Sequence, residues 1–514
     1  MISRSWWERP WLLVAIALIA SSPLLWPHTP PLVDVPGHIG RYRVELDLWH
    51  SPSLQKYFEF KWAFIGNLGV DLLIIPMAAI FNIEMATKLI VITIPVLTTL
   101  GLLLTAREIH GRIPPTAFFA IPFVYGYPFN FGFINFSLSM AFALLSFALW
   151  LRLRTRPRWL RALIFVPLSS LIWLTHAFGW GVLGLLVWSA ELISAHDSGS
   201  SWARSAITAS TEAALLGVPA VFMVLWRSGT ASGMTSDYLW IGTKIFSIAA
   251  AMRDRWLLWD AFGVAAVIVV IGAGLFDSQL ELSRKLMIPA ATLFAAYLVI
   301  PRQLFGSAYA DMRLAPYMLM LGVLAVRFRD PSKARPAGML AILGVLFVAA
   351  RLLGNTISFA IYDQEMNRDL GALAYIPSGA PVLSIVGNDC GESWPMPVHS
   401  HLGSFVITRR DGFSNDQWQL PGAQLLRVKY DAAGAFASDP SETVFTKKCL
   451  VKTAAWLKQG QHLSRSLDQA LGQFPRQAFA YVWMIKPVDW NGKTPSGLTR
   501  VWSSGDSVLY RVVH

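Results

Sequence analysis

The chain predicts an α-helical polytopic membrane protein with a C-terminal soluble α/β domain. Three observations carry that prediction. Of its 514 residues, 54% are hydrophobic and only 14% are charged. A soluble domain carries about a quarter charged residues, so long stretches here cannot face water. The apolar runs recur from residue 10 to 354, which excludes a signal peptide followed by a soluble enzyme. Past Asn355 the long apolar runs stop and short ones take over.

A helix needs about 20 residues to cross a bilayer, with a range near 17–25. On that rule about eleven transmembrane helices are expected, at 10–26, 86–106, 113–128, 135–151, 161–175, 178–194, 204–226, 256–276, 285–301, 312–327 and 336–354. The first run, Pro10 to Trp26, follows Glu8 and Arg9. It has no small-x-small cleavage site, because Ser21-Ser22-Pro23 would put proline at the cut, so it reads as a retained span. The tryptophans, as in Trp6-Trp7 and Trp11, suit interfacial belts.

Basic residues set the orientation. They cluster at Arg107 with Arg112, at Arg152, Arg154, Arg156, Arg158 and Arg161, at Arg284 with Lys285, and at Arg327, Arg329, Lys333 and Arg335. With a cytoplasmic N-terminus, the eleven spans put all four clusters inside, as the positive-inside rule asks. Pro27–Lys88, Gly126–Asn135, the turn at His176, Ser228–Arg255, Arg302–Asp311 and the C-terminus then fall outside. This also accounts for the net charge of +12 without nucleic acid as a partner. Leu68 to Phe81 is apolar, but crossing there would flip every later loop. It is short and carries Asp71, so it reads as a helix on the outer leaflet.

Residues 361–514 read as a small α/β domain. Strands are expected at Pro381–Val386, Ser404–Thr408, Phe479–Ile485 and Val508–Val513, with helices at Lys452–Gln459 and Ser464–Gly472. The division is thus 1–360, a transmembrane domain with an outer loop 27–85, and 361–514. Both cysteines, Cys390 and Cys449, lie in the second part. A pair confined to a domain outside the membrane predicts one disulfide.

The chemistry-bearing stretch is Leu32-Val-Asp-Val-Pro-Gly-His-Ile-Gly-Arg, directly after the first span. It places Asp34, His38 and Arg41 at the outer surface. Pro36 and Gly37 are expected to break the chain, so that Asp34 and His38 turn toward one cavity. A carboxylate there suits a general base or a cation ligand. A nearby histidine can share its proton, bind metal or hold phosphate. The plainer reading is a charged loop solvated by headgroups.

An acid just after the first span, a long outer loop and an external C-terminal domain resemble the GT-C glycosyltransferases. That class includes the protein O-mannosyltransferases, the lipid A aminoarabinose transferases and the oligosaccharyltransferases. The resemblance covers residues 1–354 as an architecture, with short local motifs. It implies a GT-C-like fold, a polyprenyl-phosphate-linked sugar donor and Asp34 as the catalytic acid of the first loop. The turn Leu174-Thr-His-Ala-Phe-Gly-Trp resembles the outer turn where members place a basic residue, here His176. Ala310-Asp-Met-Arg-Leu-Ala-Pro-Tyr resembles the start of a late span where a basic residue holds the lipid phosphate, here Arg313. Arg302 brackets the same loop.

One departure stands out. Many members carry a second acid in the next outer loop, which here reads Tyr125-Gly-Tyr-Pro-Phe-Asn-Phe-Gly-Phe-Ile-Asn-Phe. Asn130 and Asn135 stand there with no carboxylate, so Asp34 acts alone, or His38 supplies the missing function, or the chain is no active transferase. No cofactor is certain, and a divalent metal ion stays open. Asn130, Asn135, Arg41 and Asp311 are expected to line the substrate cavity. Arg313 and Asp311 have a plainer reading too, as a pair with each other.

The expectation is a membrane glycosyltransferase moving a sugar from a polyprenyl-phosphate donor to an acceptor outside the membrane. It would sit among the lipids of a bacterial inner membrane, with the C-terminal domain periplasmic. The alternative is a transporter or non-catalytic scaffold in envelope-polysaccharide export. No Gly/Pro-broken pair of spans is evident in the sequence to favour transport.

Overall fold

The computed structural model describes residues 5–225, 235–304, 307–330, 334–391, 393–420, 424–454 and 465–513. Lys333, Ser464, residues 455–459 of the expected helix Lys452–Gln459, 228–234 of one outer loop and 305–306 of another lie outside these. The chain divides into two compact units. One comprises Met1–Trp26, Phe64–Leu73 and Leu89–Ser358; the other comprises Pro27–Ala63, Ile74–Lys88 and Phe359–His514. The second therefore gathers most of the loop 27–85 with the C-terminal residues, which a boundary at 360 keeps apart.

The first unit is helical. Among the described residues, six helices are long and apolar enough to cross a membrane: Ile83–His110, Ile134–Leu153, Arg158–Thr175, Ala177–Asp197, Leu257–Phe276 and Arg335–Tyr375. A seventh is reached if Trp202–Leu216 and Val218–Val224, bent by 69°, count as one span. This is a multi-pass membrane protein. The bend falls at Gly217-Val218-Pro219, where proline cannot donate to the preceding turn. Sequence reading took that segment as one span. Among the described residues it is one such break, whereas transporter sites are built from a matched pair.

Other expected spans are shorter in space than in sequence. The segment 10–26 forms an α-helix over Pro10–Ile19 and a 3-10 turn at Ser22–Leu24. Segment 113–128 is a buried 3-10 helix, Pro115–Tyr125, followed by the single turn Tyr127–Asn130. Prolines 114, 115, 122 and 128 deny that stretch a regular α-helical ladder. Segment 312–327 contains the ten-residue helix Ala315–Leu324, and then the strand Val326–Phe328 pairs with Leu280–Leu282. The helix Gly69–Ala78 has ten residues, about 15 Å at 1.5 Å per residue, and does not cross a hydrocarbon core of about 30 Å by itself.

The helix Ala177–Asp197 sits at the centre of this unit, against Ile134–Leu153, Trp202–Ala213 and Arg284–Val299. A Cβ on Gly179 would meet the Ser139 backbone at 2.6 Å, so the absent side chain is what lets the two helices touch. Glu191 accepts from Trp150 Nε1 at 2.9 Å and from Arg154 at 3.2 Å. Glu212 accepts from Arg161 at 2.7 Å. Outward-facing Phe262, Val269 and Phe276 are exposed, as suits a helix whose solvent is acyl chain.

The second unit carries a mixed sheet. Its middle strand, Pro381–Asn388, runs parallel to Tyr481–Ile485 on one side. Ser507–Val512 and then Leu498–Ser504 extend that side antiparallel. On the other side two short strands share the same edge. Phe413–Ser414 pairs with 381–382, and Thr443–Phe445 pairs with 386–388. Residues 415–442 leave the sheet between them, so the edge is interrupted beside Leu383–Ile385. A core of Leu383, Ile385, Phe413, Val444, Val482, Met484 and Tyr510 lies against Val44, Leu54, Tyr57 and Phe58.

One sequence expectation fails here. Ser404-Phe-Val-Ile-Thr, read as a strand from its β-branched run, is the helix Ser404–Arg410. It packs on the helix Val35–Asp47, and tertiary packing overrides local preference. Short strands at 413–414, 426–428, 443–445 and 498–504 were not evident from periodicity.

Candidate active site

Asp34 is the N-cap residue of the helix Val35–Asp47, with Pro36 in its first turn. Proline is accepted there because the first N–H groups have no intrahelical partner. The expected chain break at Pro36-Gly37 is therefore corrected: both residues lie inside the helix. His38 N–H donates to Asp34 O at 3.0 Å, so the two side chains follow one helix face rather than a kink. Gly37 has a different task. A Cβ there would lie 2.6 Å from Trp418 Cη2 and 3.3 Å from His401 Cβ, so glycine lets the loop 401–418 close on this helix.

That closure sets the surroundings of Asp34. Its Oδ1 lies 3.7 Å from His401 Nε2. His401 Nδ1 is 3.0 Å from Asp416 O, and a carbonyl only accepts, so Nδ1 carries the hydrogen. The ring then turns its Nε2 toward Asp34. Trp418 covers both histidines, with centroids 5.1 Å from His38 and 4.4 Å from His401. Behind them Gln417 Nε2 donates to Gly37 O at 3.0 Å and to Ser404 Oγ at 2.7 Å. Ser404 Oγ donates to Asp416 Oδ1 at 2.9 Å. Burial pushes Asp416 up to about 6, against His401 and the hydroxyls of Ser404 and Ser414. Arg41 is buried and donates to Gln424 Oε1, which ties it to packing in this unit.

The first unit gathers the second set. Arg313 lies in the 3-10 turn Met312–Leu314, buried. Its guanidinium stands 4.2 Å over the Phe133 ring, with Phe136 and Phe178 farther out. Nη2 donates to Ser307 Oγ at 3.0 Å and Ala308 O at 3.3 Å. Nη1 faces His176 Nε2 at 3.4 Å. His176 caps the helix Ala177–Asp197, its Nδ1 accepting from Phe178 N at 3.1 Å. Burial, with Arg313 adding to it, holds the His176 ring well below the usual histidine range. A neutral ring that accepts at Nδ1 carries its hydrogen on Nε2. Two N–H donors therefore face each other at 3.4 Å, and an anionic oxygen accepting from both would satisfy them.

The remaining expected residues separate. Arg302 stands 4.6 Å over the Tyr309 ring, and among the described residues no hydrogen bond or ion pair joins it to Arg313 or His176. Asp311 caps Met312 N at 2.9 Å and lies 3.6 Å from Lys244, so its ion pair is with Lys244 and not with Arg313. Asn130 Nδ2 donates to Tyr125 O and Arg253 O, both at 2.9 Å. Asn135 donates to Asn67 and to Asp71 Oδ2, the latter at 3.2 Å, and accepts from Val70 N at 2.6 Å. Both amides are engaged in holding the chain. Cys390 and Cys449 are disulfide-bonded, with Cα atoms 5.8 Å apart. Among the described residues, one group of His and acids has the spacing to hold a metal ion: His401, Asp439 and Glu442, with donor atoms within 4.8 Å of one another.

Sequence reading missed His401, Trp418, Asp416, Asp439 and Glu442. The one available signal was Ser414-Asn-Asp-Gln-Trp, a polar run straight after an apolar residue.

No family model matches the chain, and no characterised protein matches it in sequence. Among solved structures it is similar to ArnT from Cupriavidus metallidurans in the apo state, at 12% identity over 97% of each chain with a TM-score of 0.48. It is similar also to ArnT from the same organism bound to undecaprenyl phosphate, at 13% identity over 98% of each chain with a TM-score of 0.46. These neighbours are of the GT-C class that the sequence resembles.

Proposed function

We propose that the protein is a membrane glycosyltransferase that takes a sugar from a polyprenyl-phosphate-linked donor and passes it to an acceptor on the outer side of the membrane. The observation that carries this reading is the pair of donors at Arg313 and His176, an anion-holding arrangement on a chain with several apolar helices. The leaving phosphate gains negative charge as the glycosidic bond breaks. Fixed cations and N–H groups at that point therefore stabilise the transition state more than the ground state. A neutral His176 that donates from Nε2 serves this purpose without titrating.

Asp34 would take the proton from the acceptor hydroxyl as that oxygen attacks the anomeric carbon. A carboxylate at a helix N-terminus faces the positive end of the macrodipole. His401, whose Nε2 lies 3.7 Å from Asp34 Oδ1, orients the carboxylate. The basic clusters support a cytoplasmic N-terminus and an outer C-terminal region in a bacterial inner membrane.

The test is turnover of a polyprenyl-phosphate sugar by the purified chain in lipid nanodiscs, with folding followed by size-exclusion profile. Asp34→Asn keeps the shape and loses the base, so the rate should fall about 10²–10⁴-fold, with donor binding nearly unchanged. Wild-type turnover in Asp34→Asn would remove the base assignment.

A further inference from the structure

We propose that the second unit holds a divalent cation at His401, Asp439 and Glu442, with Asp416 beside them, in the break of the sheet edge between Phe413–Ser414 and Thr443–Phe445. The inference stands on unit geometry alone and does not depend on the transferase reading.

The placement comes first. Both short edge strands run parallel to Pro381–Asn388, and the chain leaves the sheet from 415 to 442 between them. The departure point supplies Asp416 and the return point supplies Asp439 and Glu442. Ser384, in the middle of the open stretch, donates its N–H to Asn415 Oδ1 at 2.8 Å, replacing a missing strand bond. The edge is thus opened there, with Asp416 at one end of the break and Asp439 and Glu442 at the other.

The donor set comes second. One donor atom each from His401, Asp439 and Glu442 lies within 4.8 Å of the others. Glu442 is 1% exposed and Asp416 is fully buried. Glu442 Oε1 accepts from Thr443 at 3.2 Å, while Glu442 Oε2 and Asp416 Oδ2 accept no hydrogen bond. Among the described residues no lysine or arginine pairs with Asp416, Asp439 or Glu442. Buried carboxylates of one sign with no cation beside them are costly. A divalent ion would offset that charge and take up the idle lone pairs of Glu442 Oε2 and Asp416 Oδ2.

The histidine comes third. His401 has its Nδ1–H on the Asp416 carbonyl, the support that metal-binding histidines use to fix their tautomer and orient the other nitrogen. One imidazole with two or three carboxylates suits a borderline cation such as Zn²⁺ or Mn²⁺. His401 also touches Asp34, so the cation would be one residue removed from that carboxylate.

The experiment uses the full chain in nanodiscs, stripped with a chelator and titrated calorimetrically with ZnCl₂ and with MnCl₂. Retained metal is then counted by mass spectrometry. Wild type should hold one equivalent of at least one of the two ions. Glu442→Gln and Asp439→Asn should each weaken binding by more than about 100-fold, beyond the 10–100-fold typical of losing a group behind the ligands. Glutamine keeps the size and shape of the acid, so Glu442→Gln should fold, and Asp439→Asn is an independent second reading. Asp468→Asn, an exposed acid outside the group, should bind as wild type. No bound metal in wild type, or equal affinity in wild type and in both ligand variants, overturns the proposal.

Discussion

Replacing Arg313 tests the anion site most directly. In Arg313→Ala a bound phosphate would lose two charge-assisted hydrogen bonds, each worth about 1.5–3 kcal/mol. Donor affinity should fall roughly 10²–10⁴-fold, at about 1.4 kcal/mol per decade. The same change costs stability. The guanidinium stands over Phe133 at 4.2 Å, a desolvated contact worth about 2 kcal/mol, and donates to Ser307 and Ala308 for about 1 kcal/mol each. A loss of about 3–4 kcal/mol makes separation of folding from binding essential. Arg313→Lys does this: it keeps the charge and part of the ring contact but loses the planar fork. It should fold, with binding weakened about 10-fold. The assay is titration of a fluorescent polyprenyl phosphate into nanodisc-embedded protein that has passed size exclusion. Combining His176→Ala with Arg313→Ala should give less than the sum of the two losses, because both donors serve one oxygen. Unchanged affinity in Arg313→Ala, or strict additivity in the double variant, would refute the shared anion site.

Other expectations follow from the same geometry. Gly37→Ala puts a methyl into the Trp418 ring at 2.6 Å and should cost about 1–3 kcal/mol by overpacking, read as a lower unfolding midpoint with quenching of Trp418 altered; an unchanged midpoint would mean that the loop 401–418 is not seated on the helix Val35–Asp47. Loss of the Cys390–Cys449 bond, which closes a separation of 59 residues, should cost about 4 kcal/mol by the chain-entropy model; two alkylatable thiols in unreduced protein would contradict the pairing. A phosphatase fused after Val513 should be active and one fused at Arg156 inactive, because four basic clusters agree on that orientation; the reverse pattern would invert the topology.

Legibility differed by level. The apolar runs announced the membrane class, since only helices or closed barrels satisfy their backbone in lipid. The number of crossing helices was less legible. Hydropathy counts apolar residues, but Pro115–Tyr125 and Ala315–Leu324 are as apolar as their long neighbours and too short to cross. Asp34 and Arg313 were visible because each stands at a junction between an apolar run and a polar stretch. Their partners were not. Asp34 meets His401 across 367 positions of chain, and nothing local to His399-Ser-His401 marks which histidine will close on a carboxylate.

The missing second acid shows why such contacts cannot be taken from a motif. The loop Tyr125–Phe136 offers Asn130 and Asn135, which by type suit sugar hydroxyls. In space Asn130 spends its donors on Tyr125 and Arg253 carbonyls. Asn135 accepts Val70 N–H and donates to Asp71 Oδ2. A carboxylate is therefore present at this loop after all, supplied by the short helix Gly69–Ala78. The same helix that is too short to cross brings Asp71 in, fully buried, and Asn135 completes its N-terminal turn. An asparagine here is the natural partner of a displaced acid, because its amide donates to the carboxylate while its carbonyl accepts the helix N–H. A second carboxylate within Tyr125–Phe136 would face Asp71 across about 3 Å with no donor between them, and one of the two would have to stay protonated. The absence of an acid from that stretch and the burial of Asp71 beside it are thus one arrangement.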